Sequence, residues 1–246
     1  MISDKNKEKD IYLFPKRVLD TNMKEEKYKM TPLKFGQLLS SRLCHDLIAP
    51  AGAIGSGLEI LREATATGDA DDILRVVEQS SEVLTKKLVF YRAAFGYSSA
   101  AHFSGSEDIR NFLSSFLATT KVSLDFQAGQ TQETSDDYPN WGRLLANLTL
   151  ILIEVAPRGG VLSIVWTPDT LECRLTGNLV TLREAHQKAL RGDMDPSVVT
   201  PHEIQPFMTH LLMKSLKVTF NQATFSQEEV FLSIKTSRAS HKTLFD

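Results

Sequence analysis

The chain has only two cysteines among 246 residues, Cys44 and Cys173. They are far apart and form neither a disulfide framework nor a zinc-ligand spacing, so both are expected to be reduced thiols. No apolar run is long enough to span a bilayer. The longest, Leu144 to Pro157, is interrupted by Asn147 and Glu154, whereas a spanning helix needs about 20 apolar residues. A charge excess of either sign is also lacking. The formal net charge of −2 and a pI near 6.3 leave no footprint for nucleic acid or an anionic membrane, and neither partner is expected. The N-terminus has no charged, apolar and cleavable signal pattern, and the expected location is cytoplasmic.

What is present is an ordinary globular composition, 42% apolar and 24% charged, in a chain long enough for one large domain or two small ones. Residues 1–31 are rich in Lys, Glu and Asp without apolar periodicity and read as a flexible charged tail. Thr31-Pro32 then supplies an N-cap and a first-turn proline. A first helix is expected from about Pro32 to Ala64. After a turn at Thr67-Gly68-Asp69-Ala70-Asp71, Ile73, Val77, Leu84, Leu88, Tyr91 and Phe95 recur at heptad-like spacing and predict a second helix. Two long helices on a short loop make an antiparallel hairpin with an uncovered apolar stripe, so two copies are expected to form a dimeric four-helix bundle.

Beyond Gly96–Ala100 the pattern changes. Ser106–Thr119 reads as a helix, Lys121–Ala128 as a strand, Gly129–Asp137 as a polar loop and Trp141–Ala156 as a strongly apolar helix. Strands at Val161–Thr167 and Leu171–Thr176, helices near Leu182–Arg191 and Thr200–Lys217, and strands at Val218–Phe225 and Glu229–Thr236 complete the series. The fold class is therefore α+β. Residues 32–98 are expected to form the helical hairpin, 99–236 an α/β sandwich with a mixed sheet covered on one face, and 237–246 a tail.

The first helix carries the informative word, Arg42-Leu43-Cys44-His45-Asp46-Leu47-Ile48-Ala49-Pro50. At 100° per residue, Leu43, Leu47, Ile54, Leu58 and Leu61 fall within about 40° of the direction opposite His45, which places the imidazole in solvent. Leu38, Ser41, Arg42, Ile48, Ala49, Gly52 and Ser56 share its face, and those on the C-terminal side are mostly small. Pro50 lacks a helical donor and is expected to kink the helix, and Gly52, Gly55 and Gly57 each cost roughly 1 kcal/mol against alanine in a helix interior. So costly a stretch beside an exposed histidine reads as a site. Asp46 is adjacent and can accept a hydrogen bond from one ring nitrogen; Arg42, one turn earlier, is a candidate for pairing with phosphate or an acidic partner. If the hairpin is symmetric about Gly68, residues near Lys87 lie across from His45. His102, His186, His202, His210 and His241 have no paired carboxylate or metal-like spacing and read as structural or exposed.

His45-Asp46-Leu47-Ile48-Ala49-Pro50 resembles the H-box of sensor histidine kinases, and Arg143-Leu144-Leu145-Ala146-Asn147 through Pro157-Arg158-Gly159-Gly160-Val161 resembles their N-box helix and following strand. The departures are as informative. Arg143 stands where those kinases carry a first asparagine, and no Asp-x-Gly-x-Gly occurs. Leu175-Thr176-Gly177-Asn178-Leu179 occupies the expected place of that nucleotide loop, and no P-loop replaces it. This combination, with Gly57-Leu58-Glu59-Ile60-Leu61, resembles the ChpT-type histidine phosphotransferases of α-proteobacteria over roughly Leu33–Lys235. The resemblance implies a dimer with a degenerate ATP-binding domain. It also implies a relay of phosphate through His45 between receiver domains, from a CckA-type hybrid kinase to CtrA-type and CpdR-type response regulators. His45 and Asp46 are then the catalytic pair, and Ser41, Arg42, Ile48, Ala49 and Gly52 the receiver-docking candidates. No cofactor of the chain's own is expected, Mg²⁺ being brought by the partner receiver. An ATP-dependent histidine kinase and a non-catalytic adaptor that only docks receivers are the competing classes.

Overall fold

The computed structural model describes residues 30–63, 70–96, 103–129, 138–167, 169–178 and 180–235. The expected N-terminal tail, most of the turn around Gly68, most of the polar loop at 129–137, the C-terminal tail, His102 and His241 lie outside the described residues.

Helix α1 runs Pro32–Glu63 and α2 runs Ala70–Phe95. The start of α1 is set by Thr31, whose Oγ1 accepts the Lys34 amide at 3.1 Å, with Pro32 at the position where a missing donor costs nothing. Helix α2 opens on Asp71 and Asp72 and closes near Arg92, each charge complementing the helix dipole. Pro50 is buried, and α1 is helical on both sides of it.

The two helices approach closely at Gly57, which is buried; a Cβ there would overlap Val77 Cγ2 of α2. Valine is stiff at χ1 in a helix, so the clash is relieved only by moving the backbones apart. Gly57→Ala is therefore expected to destabilise the chain by about 1–2 kcal/mol despite alanine's higher helix propensity. Thermal melting checks this, and a rise in melting temperature would contradict the close approach.

The remaining elements are α3 (Ser106–Leu117), β1 (Val122–Ala128), α4 (Tyr138–Glu154), β2 (Gly160–Trp166), β3 (Thr170–Gly177), α5 (Glu184–Arg191), α6 (Ile204–Ser215), β4 (Thr219–Phe225) and β5 (Glu229–Lys235). A short 3₁₀ turn at Pro196–Val198 has no counterpart in the sequence reading. The expected helix start at Thr200 moves to Ile204, because Thr200–Glu203 form a turn in which the Glu203 carboxylate accepts the Thr200 amide and hydroxyl.

The strands form one mixed sheet in the order β1-β2-β3-β5-β4. The β1–β2 pair is parallel, with α4 as its crossover, and the rest are antiparallel. Leu162, Ile164, Trp166, Leu171, Cys173, Leu175, Val230, Leu232 and Ile234 are buried and form one core with Leu144, Leu145, Leu148, Ile151 and Leu152 of α4 and Ile109, Leu113 and Phe116 of α3. Both cysteines are free thiols, Cys44 exposed and Cys173 buried. Burial, together with the neighbouring Glu172 carboxylate, pushes the Cys173 thiol up to about 12.

The hairpin is seated on the helices that cover this core, among other places at its two chain ends. Phe90 of α2 is fully buried and stacks on Phe112 and Phe116 of α3, with ring centroids 4.9 and 3.8 Å apart. Near its N-terminus, α1 places Phe35, Leu38 and Leu39 against Ala189, Ile204 and Phe207 of α5 and α6. The middle of α1, which carries His45, thus lies beside the C-terminal end of α4.

Candidate functional site

His45 projects from α1 with its side chain 79% exposed, as the helical arithmetic requires. Its Nδ1 lies 3.1 Å from Asp46 Oδ1. Asp46 is the hub of the site. Its Oδ2 accepts from Arg42 Nε at 2.9 Å and from the Tyr91 hydroxyl at 3.1 Å, and its backbone carbonyl accepts from Lys87 Nζ at 3.0 Å. Arg42 in turn directs NH2 and NH1 at Glu154 Oε2 and Oε1, 2.8 and 3.4 Å away, at the last residue of α4.

Electrostatics follow from that arrangement. Burial alone pushes the Asp46 carboxyl up. The hydrogen bond to His45, the Arg42 guanidinium and the Tyr91 hydroxyl outweigh it and hold the group below the usual carboxylate range. Asp46 is therefore an ionised, acceptor-only group near neutrality, so His45 Nδ1 must be the donor. In the neutral ring that leaves Nε2 with its lone pair free and facing solvent. Burial and the Asp46 charge push the Tyr91 hydroxyl far up, which keeps it a donor. Burial lowers the Arg42 pKa, but Glu154 and Asp46 more than offset it.

Of the docking candidates, Ser41, Ile48, Ala49 and Gly52 are exposed beside His45; Ile48 is 68% exposed. Nothing lies within 4 Å of a Cβ built at Gly52, so the platform after the histidine is open. Arg42 differs. Assigned to the outward face, it has a side chain only 16% exposed and folded inward, because carboxylates on both sides, Asp46 and Glu154, draw the guanidinium between them. Lys87 lies where hairpin symmetry predicts. Two members of the network escaped the sequence reading. Tyr91 passed as one apolar heptad position, and Glu154 only as a charge interrupting an apolar run. Its being the lone carboxylate of that run was the available signal.

Helix α4, which carries the N-box-like word, turns its asparagine into the interior. Asn147 is fully buried; its Nδ2 donates to Ala94 O and Arg143 O at 2.9 and 2.8 Å, and its Oδ1 accepts from Gln205 Nε2 at 2.7 Å. Gly159 sits at φ +94° against the Lys121 carbonyl, and Gly160 pairs with Gly177 where β2 and β3 approach too closely for side chains. His186 is buried, His210 half-buried and His202 exposed. Among the described residues no helix is long and apolar enough to cross a membrane.

Comparison with known proteins gives a consistent result. Residues 106–224 match the family described as the histidine phosphotransferase C-terminal domain. The protein phosphotransferase ChpT of Brucella abortus (strain 2308) is 28% identical over 210 residues, covering 81% of this chain and 97% of the relative. A solved bacterial phosphotransferase superposes with a TM-score of 0.70 at 25% identity, over 84% of this chain and 98% of the other.

Proposed function

We propose that the chain is a ChpT-type histidine phosphotransferase, like the proteins it matches, and that it relays a phosphoryl group between aspartates of receiver domains through His45, without binding ATP and with no autokinase activity. The observation that carries this reading is the exposed His45 ring held by Nδ1 on Asp46, which leaves Nε2 open to an incoming protein. In the forward step the Nε2 lone pair attacks phosphorus in line as the bond from phosphorus to the receiver carboxylate oxygen breaks. The receiver regains its carboxylate, and the ring becomes a cationic phosphohistidine opposite the ionised Asp46. The return step onto a second receiver aspartate is the reverse. Transfer of this kind asks for positioning and charge neutralisation, and the receiver supplies Mg²⁺.

The partners we infer are receiver domains of a CckA-type hybrid kinase and of CtrA-type and CpdR-type regulators, in the cytoplasm, docking over Ser41, Ile48, Ala49 and Gly52. A second copy of the chain covers the hairpin. Leu58, Ile60, Leu74, Val76, Leu88 and Val89 of α1 and α2 are 45–56% exposed and support a bundle interface. The nucleotide-free reading is supported by Asn147, whose amide hydrogens and oxygen are all engaged inside the protein.

The test is transfer of labelled phosphate from a phosphorylated CckA-type receiver, without ATP. The wild type is expected to acquire an acid-labile, alkali-stable label and His45→Ala none. Receiver binding with no label on the wild type, given an active donor, would leave the docking adaptor as the function.

A further inference from the structure

The relay reading accounts for His45 and Asp46 but leaves Glu154 without a role, although this residue of the second domain is joined by two bonds to the phosphotransfer helix. Arg42 and Glu154 are 112 residues apart in sequence. An arginine fork meeting a carboxylate favours the bidentate arrangement, two parallel N–H bonds on two oxygens. Arg42 does not adopt it toward Asp46. It offers Asp46 a single bond, from Nε to Oδ2, while NH1 and NH2 are directed at Glu154. That division leaves Asp46 Oδ1 to His45 Nδ1 alone.

Resting on the relay reading, we propose that Glu154 is a positioning residue for phosphoryl transfer: by holding the Arg42 fork it reserves Asp46 Oδ1 for His45 and so fixes the tautomer that leaves Nε2 nucleophilic. Without the Glu154 carboxylate, the Arg42 fork closes on both oxygens of Asp46 and displaces His45 Nδ1. The ring then loses its orientation and populates the tautomer protonated on Nε2, which has no lone pair there to attack phosphorus. The second domain, whatever its ancestry, thereby takes part in the chemistry through the last residue of α4.

The inference is tested in the full chain with ¹⁵N-labelled histidine, reading the His45 tautomer by long-range ¹H–¹⁵N correlation, alongside transfer rates from a phosphorylated receiver. The wild type is expected to show the Nδ1–H form. Glu154→Ala is expected to show a mixture and to transfer about tenfold more slowly. Glu154→Gln keeps an oxygen for one Arg42 bond and the shape of the side chain, and is expected to fall between the two. If Glu154 acts through Asp46, adding Glu154→Ala to Asp46→Asn slows transfer no further. A wild-type tautomer and rate in Glu154→Ala, or an undiminished tenfold loss in the Asp46→Asn background, would overturn the proposal. Absence of label from the wild type itself would defeat the relay instead, and the tautomer measurement would then decide the role of Glu154 alone.

Discussion

Asp46→Asn is expected to slow phosphoryl transfer to His45 by about 10²-fold or more while leaving the fold intact. The size of the effect comes from how the amide must settle. Arg42 Nε and the Tyr91 hydroxyl both point donors at the Oδ2 position, and Tyr91 remains protonated because burial and neighbouring charge push its pKa up. Two donors hold the amide oxygen there more strongly than one imidazole can compete for it, so the NH₂ group turns to His45. Its hydrogens require Nδ1 to accept, which moves the ring proton to Nε2 and removes the lone pair from the exposed nitrogen. The lost negative charge also leaves the cationic ring of the phosphohistidine unopposed. The paired readout is the transfer rate and the ¹⁵N tautomer signal of His45. An unchanged Nδ1–H form with a rate within a few-fold of wild type would show that Asp46 neither orients nor compensates the ring.

The same site shows how far a sequence can be read. The exposure of His45 followed from helix geometry alone, since the positions of Leu43, Leu47 and Ile54 fix which way residue 45 faces whatever the rest of the chain does. Leu43 and Leu47 do pack on the core. The His45–Asp46 contact needed only adjacency, and Lys87 needed only a symmetric hairpin. Tyr91 and Glu154 could not be placed this way. Tyr91 occupies an apolar heptad position and is buried, so its ring obeys the pattern and only its hydroxyl departs from it. Glu154 meets Arg42 because α4 packs across the hairpin, a tertiary fact with no local period behind it. Arg42 was misjudged for the same reason: a helical wheel assigns a face, but carboxylates 4 and 112 residues away decided where the guanidinium went. In the sheet β3 was legible because Leu171, Cys173 and Leu175 alternate with Glu172, Arg174 and Thr176. The start of α6 was not, because a side-chain-capped turn at Thr200–Glu203 imitates a helix start.

Asn147→Leu is expected to lower the melting temperature by about 6–12 °C, a loss of about 3 kcal/mol at roughly 2–4 °C per kcal/mol for a chain of this size. Leucine is close in volume, so the penalty is polar. The substitution strips partners from the Ala94 carbonyl, in the last turn of α2 where helical carbonyls lack intrahelical donors, and from the Gln205 amide, itself only 2% exposed. Each group left unsatisfied in a dry interior costs about 1–3 kcal/mol. Asn147→Asp is expected to be worse. It keeps the acceptor for Gln205, but turns an oxygen toward the Ala94 and Arg143 carbonyls and buries a charge. This sensitivity separates two accounts of the one asparagine left in the N-box-like helix. If Asn147 were reserved for the metal of a bound nucleotide, its loss would cost little stability in the free protein, and ATP with Mg²⁺ would raise the melting temperature of the wild type alone. If it is the polar joint between α2, α4 and α6, the free protein suffers, and ATP with Mg²⁺ shifts neither form. The second outcome is the one expected, because a side chain whose two hydrogens and oxygen are already bonded within the core can turn toward a ligand only by breaking the contacts that join α4 to α2 and α6.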